Sequence, residues 1–282
     1  MEFYKKVKEE TEKAGLLFMA SPFGRKSAQI LEDIGSKIFK VASPELNHFP
    51  LIKQLLGYRK PIIISSGVST LEDLDRIITL TGREDITILH CITSYPAPES
   101  EYNLQLIPNL KNILGVDVGI SDHSTDPILV PVLSVLLGAT VIEKHITLSN
   151  TTDGLDDPVA LNIENFKLMC KTVREYEKYN KKQGIDKLKS IYGRKKIDEI
   201  IGDGVKKVAK SEKDNYGRTN RSLHATKKLE SGTIITLKNT ALLRTEKILN
   251  PGLPPHMVES FYGKKLTKDI PDGEGINLED FL

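Results

Sequence analysis

The stretch Val118–Leu148, VGISDHSTDPILVPVLSVLLGATVIEKHITL, carries the pattern that decides the fold. It contains two short apolar runs, and each ends in a polar cluster with an acid and a histidine, SDH at 121–123 and EKH at 143–145. An apolar segment of helical length lies between the two runs. The stretch therefore predicts one strand–helix–strand unit whose two strands are parallel and end at the same edge of a sheet.

The same alternation of strand-like and helix-like segments extends along most of the chain. Continuous apolar runs separated by helices indicate an α/β fold with a parallel sheet covered on both faces. Polar residues stand at the carboxyl end of every run, which is typical of a (β/α) barrel whose site is built from the strand ends. The predicted strands are LLFMASP (16–22), IFKVASPE (38–45), PIIISSG (61–67), ITILHCITSYP (86–96), VDVGISDH (116–123) and ATVIEKHIT (139–147).

Six strands are fewer than the eight of a TIM barrel, and the chain opens with a charged helix rather than a strand. The expectation is a barrel that lacks its first two βα units. Such an open sheet would expose two edges and associate, with condensation activity near background unless a second polypeptide supplied those units. A doubly wound open sheet is the alternative, although no GxGxxG or GxxxxGK[ST] motif occurs in the sequence.

Composition restricts the class of protein. Of the 282 residues, 39% are hydrophobic and 28% charged, and 40 Lys+Arg against 38 Asp+Glu leave a formal net charge of +2, which argues against a nucleic-acid or membrane surface. No apolar run has transmembrane length, and the first residues do not resemble a signal peptide. Cys91 and Cys170 form no CxxC pair, which favours buried thiols in a reducing, cytoplasmic location.

Three regions are predicted. Residues 1–180 form the partial barrel. The lysine-rich residues 181–220, with interleaved acids, form a connector with a short helix. Residues 221–282 form a small β-rich module, in which KKLESGTIITLKN (227–239) and KDIPDGEGINLED (268–280) are related repeats that suggest two pseudo-symmetric halves.

His123 and His145 are the leading candidates for metal ligands. They are one βα repeat apart, and adjacent strands lie about 4.8 Å apart, so both imidazoles can converge at one rim. Two imidazoles suit a divalent transition ion, with water and substrate completing the coordination as in a catalytic site. The alternative is that each histidine only makes hydrogen bonds.

Lysines and hydroxyls at the strand ends suggest an anionic substrate. Lys40 and Lys144 lie in otherwise apolar strands and require an anion or an acid as partner. Serines that suit a phosphate or carboxylate, or that simply cap the strands, are Ser43, Ser65, Ser66 and Ser121. Glu45 and Glu143 could transfer protons if burial raised their pKa, or could form salt bridges with Lys40 or Lys144.

Together these motifs resemble those of the sialic acid synthase family, which includes legionaminic and pseudaminic acid synthases and spore-coat polysaccharide synthases. Such enzymes condense phosphoenolpyruvate with an N-acylated amino sugar to form a nonulosonic acid and phosphate. The resemblance covers nearly the whole chain, and the segment NRSLHATKKLESGTIITLKN is similar to the family's antifreeze-like (SAF) domain. The matching motifs are ASPF, KVASPELNHFPLI, KPIIISSGVST, LHCITSYPAP, GISDHSTDP, GATVIEKHITL and DGLDD.

The resemblance implies roles for individual residues. His123 and His145 would bind a manganese-like ion, with Mg²⁺ or Co²⁺ as alternatives. Glu45 and Asp156 would be catalytic, and Glu143 is a third catalytic candidate from its position at the strand end. Arg244 would reach the site of a neighbouring subunit in a domain-swapped homodimer. The remaining substrate-binding residues would be Ser21, Lys40, Ser43, Ser65, Thr93, Tyr95, Ser121 and Lys144.

Two departures from the family pattern stand out. The family motif GPDH is GLDD here, so Leu155 and Asp157 replace proline and histidine while Asp156 is kept; we expect a shifted loop. The family's first-strand glutamate and second-strand lysine have no counterpart in this sequence. The alternative function is therefore a catalytically inactive homologue that binds a sugar or a partner chain.

Overall fold

The computed structural model describes residues 1–245 and 248–282. The chain divides into two compact units: unit 1 combines residues 1–60 with 214–282, and unit 2 is residues 61–213. This division differs from the predicted boundaries at 180 and 220, because both terminal segments of the chain contribute to unit 1.

The main sheet contains five strands in the order β1-β2-β3-β4-β5, so the fold is an α/β half-barrel. Strands β2 to β5 pair in parallel, and the registers place Cys91 opposite Ser121 and Ser121 opposite Glu143. The strands are β1 Phe39–Val41, β2 Ile62–Ser65, β3 Ile86–Cys91, β4 Asp117–Asp122 and β5 Ile142–Lys144. The helices that alternate with them are α3 Phe49–Gly57, α4 Leu71–Thr81, α5 Leu106–Leu114 and α6 Leu129–Leu136.

Burial on both faces explains the continuous apolar composition of these strands. All four residues of β2 are buried, and Ile88 and Ile120 in the next strands are fully buried, as expected for a parallel sheet covered by helices. Gly119 of β4 is required by packing, since a Cβ at this position would lie 2.4 Å from the Val141 carbonyl oxygen.

The first predicted strand, LLFMASP (16–22), is wrong, since this segment forms no strand and the sheet has five strands rather than six. Leu16 and Leu17 are 65% and 57% exposed. The stability of a strand depends on the burial of its side chains against neighbours, which this segment lacks. The last predicted strand is split into β5 and β6 Ile146–Thr147, and β6 pairs in parallel with β7 Leu161–Asn162.

The predicted connector contains two ordered helices, α8 Lys181–Tyr192 and α9 Arg194–Ile201, which follow α7 Ile163–Tyr176 in unit 2. Leu188 and Ile197 are completely buried. These buried side chains make residues 181–201 part of the packed unit.

Unit 1 contains α1 Glu2–Lys13, α2 Arg25–Asp33, β1, α3 and the C-terminal module. In the module, β8 Arg221–Ala225 pairs antiparallel with β9 Thr240–Arg244, and α10 is Pro255–Val258. The buried core of the module is Leu223, Ala225, Leu229, Ile235, Leu253, Val258, Phe261, Leu266, Ile270 and Ile276.

The internal repeat of the module corresponds to a structural pairing of its halves. Leu229 and Ile270, which occupy equivalent positions in the repeats, exchange two backbone hydrogen bonds of 2.9 and 2.8 Å. The equivalent glycines Gly232 and Gly273 have φ of 83° and 79°, the left-handed region that only glycine adopts without strain. The repeat in the sequence therefore reflects a pseudo-two-fold arrangement.

Two expectations from composition can be compared with the structure. Cys91 is buried as expected, but Cys170 is exposed, so the prediction of a buried thiol is wrong for Cys170. Within residues 1–245 and 248–282, no helix combines the length and apolar character needed to cross a membrane.

We expect Leu188→Ala to lower the free energy of unfolding by about 2–5 kcal/mol, because it opens a cavity under α8. Ile191→Ala is the matched control on the same helix, since Ile191 is 61% exposed and should change stability by less than about 0.5 kcal/mol. Urea unfolding of the two variants measures the difference. Equal, small losses would mean that α8 does not pack as described.

Candidate active site

Three rings from the carboxyl ends of successive strands meet in unit 2. Tyr95 follows β3, His123 follows β4 and His145 follows β5. The ring centroids of the two histidines are 5.4 Å apart, and the Tyr95 centroid lies 4.2 Å from that of His123 and 5.7 Å from that of His145. The structure thus brings the two histidines together as the sequence predicted.

His123 is buried and held on both sides. Its Nδ1–H donates to the Ile92 carbonyl oxygen at 2.7 Å, and its backbone N–H donates to the Tyr102 hydroxyl at 2.7 Å. The first bond fixes the tautomer that carries a lone pair on Nε2, the arrangement usual for a metal-binding histidine. Burial lowers the pKa of His123, but its contacts with Cys91 and Ile92 outweigh burial and leave that pKa raised.

His145 is half-buried and less tightly held. Its Nδ1 lies 3.5 Å from Oδ2 of Asp156, and its carbonyl oxygen accepts a bond from the Leu161 N–H. Burial, followed by the charge of His123, lowers the pKa of His145. A neutral imidazole is the form that binds a metal ion.

The two imidazoles fit a divalent ion with open coordination positions. Nδ1 of His123 donates to the Ile92 carbonyl oxygen and Nδ1 of His145 lies 3.5 Å from Oδ2 of Asp156, so Nε2 of each ring would be the ligand atom. Among residues 1–245 and 248–282, no group of three or more His, Cys, Asp or Glu side chains is placed to hold a metal ion. Water and substrate would therefore have to complete the coordination, as in catalytic sites.

Lys144 has an acid as its partner, one of the two kinds of partner that the sequence required for it. Its ammonium lies 2.6 Å from Oδ2 of Asp122, and the two side chains are 1% and 0% exposed. The other carboxylate oxygen of Asp122 accepts bonds from the Tyr102 hydroxyl at 2.7 Å and the Ser124 N–H at 2.8 Å. This buried network supports the loop that carries His123, since Tyr102 also binds the His123 backbone.

Ser121 and Glu143 form a pair between β4 and β5. The Ser121 hydroxyl donates to Oε1 of Glu143 at 2.7 Å, so the predicted phosphate-binding serine and the predicted catalytic acid are neighbours.

Burial raises the pKa of Tyr95, and the charges of Cys91, Asp156 and Glu143 raise it further. Tyr95 therefore keeps its phenolic proton and can donate a hydrogen bond to a ligand.

The two final acids of the DGLDD loop make different contacts. Asp156 is directed to His145. Asp157 closes the turn, since its Oδ2 accepts bonds from the Thr152 hydroxyl and from the Gly154 N–H at 3.1 Å. The Thr152 bond is the largest cause of the lowered pKa of Asp157. Asp157 thus supplies the local anchor of a loop in which Leu155 is fully exposed.

Two residues at the strand ends were not predicted. Glu212 is completely buried, and its Oε1 accepts bonds from the N–H groups of Val68 at 2.8 Å and Thr93 at 2.6 Å. Val68 has φ of 50°, an uncommon conformation for a β-branched residue. Lys206 donates to the Ser66 carbonyl oxygen at 3.3 Å, and burial lowers its pKa.

No local pattern in the sequence could have identified Lys206 and Glu212. Both lie in a run of mixed charges, VKKVAKSEK, which is typical of a solvated connector. Their roles arise from contacts over 140 residues or more, Lys206 with Ser66 and Glu212 with Val68.

In unit 1, Glu45 is completely buried and has partners other than those predicted. Its carboxylate accepts two bonds of 2.8 Å from the Arg221 guanidinium and lies 2.6 Å from His48 Nδ1, rather than pairing with Lys40 or Lys144. Burial raises the pKa of Glu45, but His48 and Arg221 outweigh it and leave the pKa lowered. Glu45 is therefore ionised at neutral pH.

The other predicted residues occupy defined positions. In unit 1, Lys40 and Ser43 are buried and Ser21 is half-buried. Arg244 ends β9, directly opposite Arg221 of β8. In unit 2, Ser65 is buried at the end of β2. Most of the predicted site residues therefore lie in or near the ends of strands, whereas Ser21 lies in the segment between α1 and α2, which forms no strand.

Comparison with known proteins identifies the family. The model of the NeuB family matches residues 1–185, about two thirds of the chain. The chain belongs to the NeuB family. This confirms the family relationship inferred from the sequence motifs.

Relatives in the family differ in the product for which they are named. The chain is 33% identical to N,N'-diacetyllegionaminic acid synthase of Campylobacter jejuni, covering 96% of this chain and 75% of that protein. It is 31% identical to pseudaminic acid synthase of the same species, covering 99% and 75%. The crystal structure of the spore coat polysaccharide biosynthesis protein spsE from Bacillus subtilis superposes with a TM-score of 0.86, at 29% identity over 98% and 76% of the chains.

His90, on β3 of this NeuB-family chain, should make stability depend on pH. Its Nε2–H donates to the Tyr102 carbonyl oxygen, and burial, then the charge of Lys206, lowers its pKa to about 3. The unfolded chain therefore binds this proton below pH 6.5 and the folded protein does not, so the free energy of unfolding should fall by about 1.4 kcal/mol per pH unit on acidification between 6.5 and 3.

Urea unfolding at several pH values measures this slope, and His90→Asn should reduce it because the titrating group is removed. Nuclear magnetic resonance of the imidazole provides a direct check. A titration of His90 in the folded protein with a midpoint near 6.5 would contradict the assignment.

Proposed function

We propose that this chain catalyses the condensation of phosphoenolpyruvate with an N-acylated amino sugar to give a nonulosonic acid and inorganic phosphate. The observation that carries the proposal is the convergence of Tyr95, His123 and His145 from the ends of three successive strands. Membership of the NeuB family, whose relatives include synthases of sugar acids, supports the same reaction class.

In the proposed reaction, C3 of phosphoenolpyruvate forms a carbon–carbon bond to the aldehyde carbon of the open-chain sugar, and the aldehyde oxygen takes up a proton. Water then attacks C2, and the C2–O bond to phosphate breaks. A divalent ion, manganese by family resemblance, would be held by His123 and His145 and would supply Lewis acidity at the aldehyde.

The side chains of unit 2 supply the other requirements. The Asp156 carboxylate beside His145 can orient the imidazole and exchange a proton with the sugar oxygen. Tyr95 can donate a hydrogen bond from its phenol. For the anionic substrate, Ser65 and Ser121 place hydroxyls at the ends of β2 and β4, and Lys206 is a half-buried lysine that donates to the Ser66 carbonyl oxygen, next to the end of β2.

The identity of the amino sugar is the most specific part of the proposal. Legionaminic and pseudaminic acid synthases are relatives at nearly equal identity, 33% and 31%, so similarity does not choose between their substrates. The deciding experiment is a coupled phosphate-release assay of the chain with phosphoenolpyruvate and a panel of N-acyl amino sugars. Binding of a sugar without phosphate release for any member of the panel would instead favour an inactive sugar-binding homologue.

Removal of either histidine should abolish metal binding. In His123→Ala or His145→Ala only one imidazole remains, and we expect isothermal titration with Mn²⁺ to show no specific binding while circular dichroism stays unchanged. His256→Ala, at an exposed position of the C-terminal module, is the control and should retain the affinity of the unchanged protein. Wild-type affinity in both site variants would overturn the metal assignment.

Asp156→Asn should reduce turnover by about 10²–10⁴-fold, because the amide cannot exchange a proton with the sugar. Asp157→Asn is the matched control, since the amide oxygen can still accept the bonds from Thr152 and Gly154 that close the turn. Phosphate release at saturating substrates measures both. Equal losses would mean that the two acids do not have separate roles.

A further inference from the structure

Glu212 joins the turns that follow β2 and β3 through one carboxylate. The residue is completely buried, and its Oε1 accepts the N–H of Val68 at 2.8 Å and the N–H of Thr93 at 2.6 Å. Its Oε2 accepts the Ala209 N–H at 3.2 Å. Hydrogen bonds from backbone N–H groups to an ionised carboxylate are short and strong. The distance between the two turns therefore depends on the reach of a single side chain.

The chain that presents Glu212 is itself attached at both ends. At one end, the Asn103 side chain accepts the Gly204 N–H at 2.7 Å. At the other end, Oε2 of Glu101 accepts both the N–H and the hydroxyl of Ser211, at 2.9 and 2.7 Å. Both attachments are made to residues 101–103, between β3 and α5. The carboxylate of Glu212 is therefore held at a fixed place within unit 2.

The backbone of Val68 shows that the turn after β2 needs support. Val68 is 2% exposed and has φ of 50°, an unfavourable conformation for a β-branched residue. Such a conformation persists only where the surrounding contacts impose it, and strained positions of this kind cluster at ligand-binding and active sites. The bond from the Val68 N–H to Glu212 is one of those contacts. Its loss would allow the turn to relax to a different conformation.

The two turns carry different parts of the candidate site. The turn after β2 follows Ser65, whose hydroxyl is available to the anionic substrate of the proposed reaction. The turn after β3 leads from Thr93 to Tyr95, and the ring centroid of Tyr95 lies 4.2 Å from that of His123. Glu212 therefore connects the end of β2 to the ring cluster through the backbone of the turns.

We propose that Glu212 is a positioning residue: by holding the turns after β2 and β3 together, it fixes the end of β2, with Ser65, relative to the cluster of Tyr95, His123 and His145. Glu212 acts through the backbone of the two turns and needs no contact with substrate. The part of this proposal that concerns substrate rests on the proposed function, whereas the coupling of the two turns does not.

Hydrogen–deuterium exchange of the full chain tests the coupling. Glu212→Ala removes the acceptor of both N–H groups, so amide exchange should accelerate at least about tenfold in residues 66–70 and in residues 92–95 together. Glu199→Ala is the matched control, since Glu199 is an exposed glutamate on α9, and it should leave both turns unchanged. Faster exchange in only one of the two turns of Glu212→Ala, or in neither, would overturn the coupling.

Glu212→Asp provides a milder variant if Glu212→Ala does not fold. Its carboxylate is one methylene shorter and cannot reach both N–H groups, so at least one of the two turns should exchange faster. Glu212→Gln keeps an oxygen acceptor at the original reach, and it should exchange more slowly in the turn that Glu212→Asp releases. Unchanged exchange in Glu212→Asp, or the reverse order of the two variants, would contradict a role that depends on the reach of the side chain.

Calorimetry with phosphoenolpyruvate, well below the melting temperature, separates positioning from stability. Glu212→Ala, or Glu212→Asp in its place, should weaken the phosphoenolpyruvate affinity of the folded protein about tenfold, and Glu212→Gln should restore part of it. If the unchanged protein binds no phosphoenolpyruvate, the proposed function fails, and the exchange experiment still decides the coupling. Unchanged affinity in a variant whose turns exchange faster would assign Glu212 a purely structural role and overturn its positioning role.

Discussion

The parallel register of β3, β4 and β5 is the constraint on which the candidate site depends. It sets Ser121 beside both Cys91 and Glu143, and the residues that follow each strand then emerge at one edge. A slip of one residue would turn every side chain of a strand to the opposite face and would separate His123 from His145. Gly119 protects this register, because only glycine allows Val141 to approach so closely.

Two buried ion pairs supplement that constraint, one in each unit. Lys144 with Asp122, and Arg221 with Glu45, both lie next to residues with predicted roles at the strand ends. Buried pairs often contribute little stability compared with apolar residues of the same size, because both charges lose their hydration. What the two pairs share is that each also forms hydrogen bonds to a neighbouring segment. Asp122 accepts a bond from the Tyr102 hydroxyl, and Arg221 donates to the Phe23 carbonyl oxygen.

The structural features that depend on short patterns of apolar and polar residues were predicted from the sequence. The apolar runs of β2 to β5 and the meeting of His123 with His145 follow from strand composition and from the spacing of one repeat. The segment 16–22 was predicted wrongly because its composition favours a strand, whereas its exposed leucines have no surface to pack against. In α8 and α9, lysines dominate the composition and obscure the few buried apolar positions, such as Leu188 and Ile197.

The cation that pairs with Glu45 could not be predicted, since it comes from a distant part of the chain. Glu45 was interpreted either as a proton-transfer group or as the salt-bridge partner of Lys40 or Lys144, but its cation is Arg221, 176 residues away. A single sequence contains no signal for such pairs, because the approach of two segments depends on the packing of everything between them. Local chemistry indicated which groups needed a partner, and only the fold identified the partner.

The position of Glu212 has a consequence for synthesis on the ribosome. Its carboxylate binds the N–H groups of Val68 and Thr93, which are 144 and 119 residues earlier. At about 5–20 residues per second, translation from Val68 to Glu212 takes roughly 7–30 s. During this interval the strands can already pair, but the turns after β2 and β3 still lack the acceptor that fixes them. The edge of unit 2 that carries the candidate site is therefore among the last parts of that unit to reach its final conformation, after β2 to β5 have been synthesised.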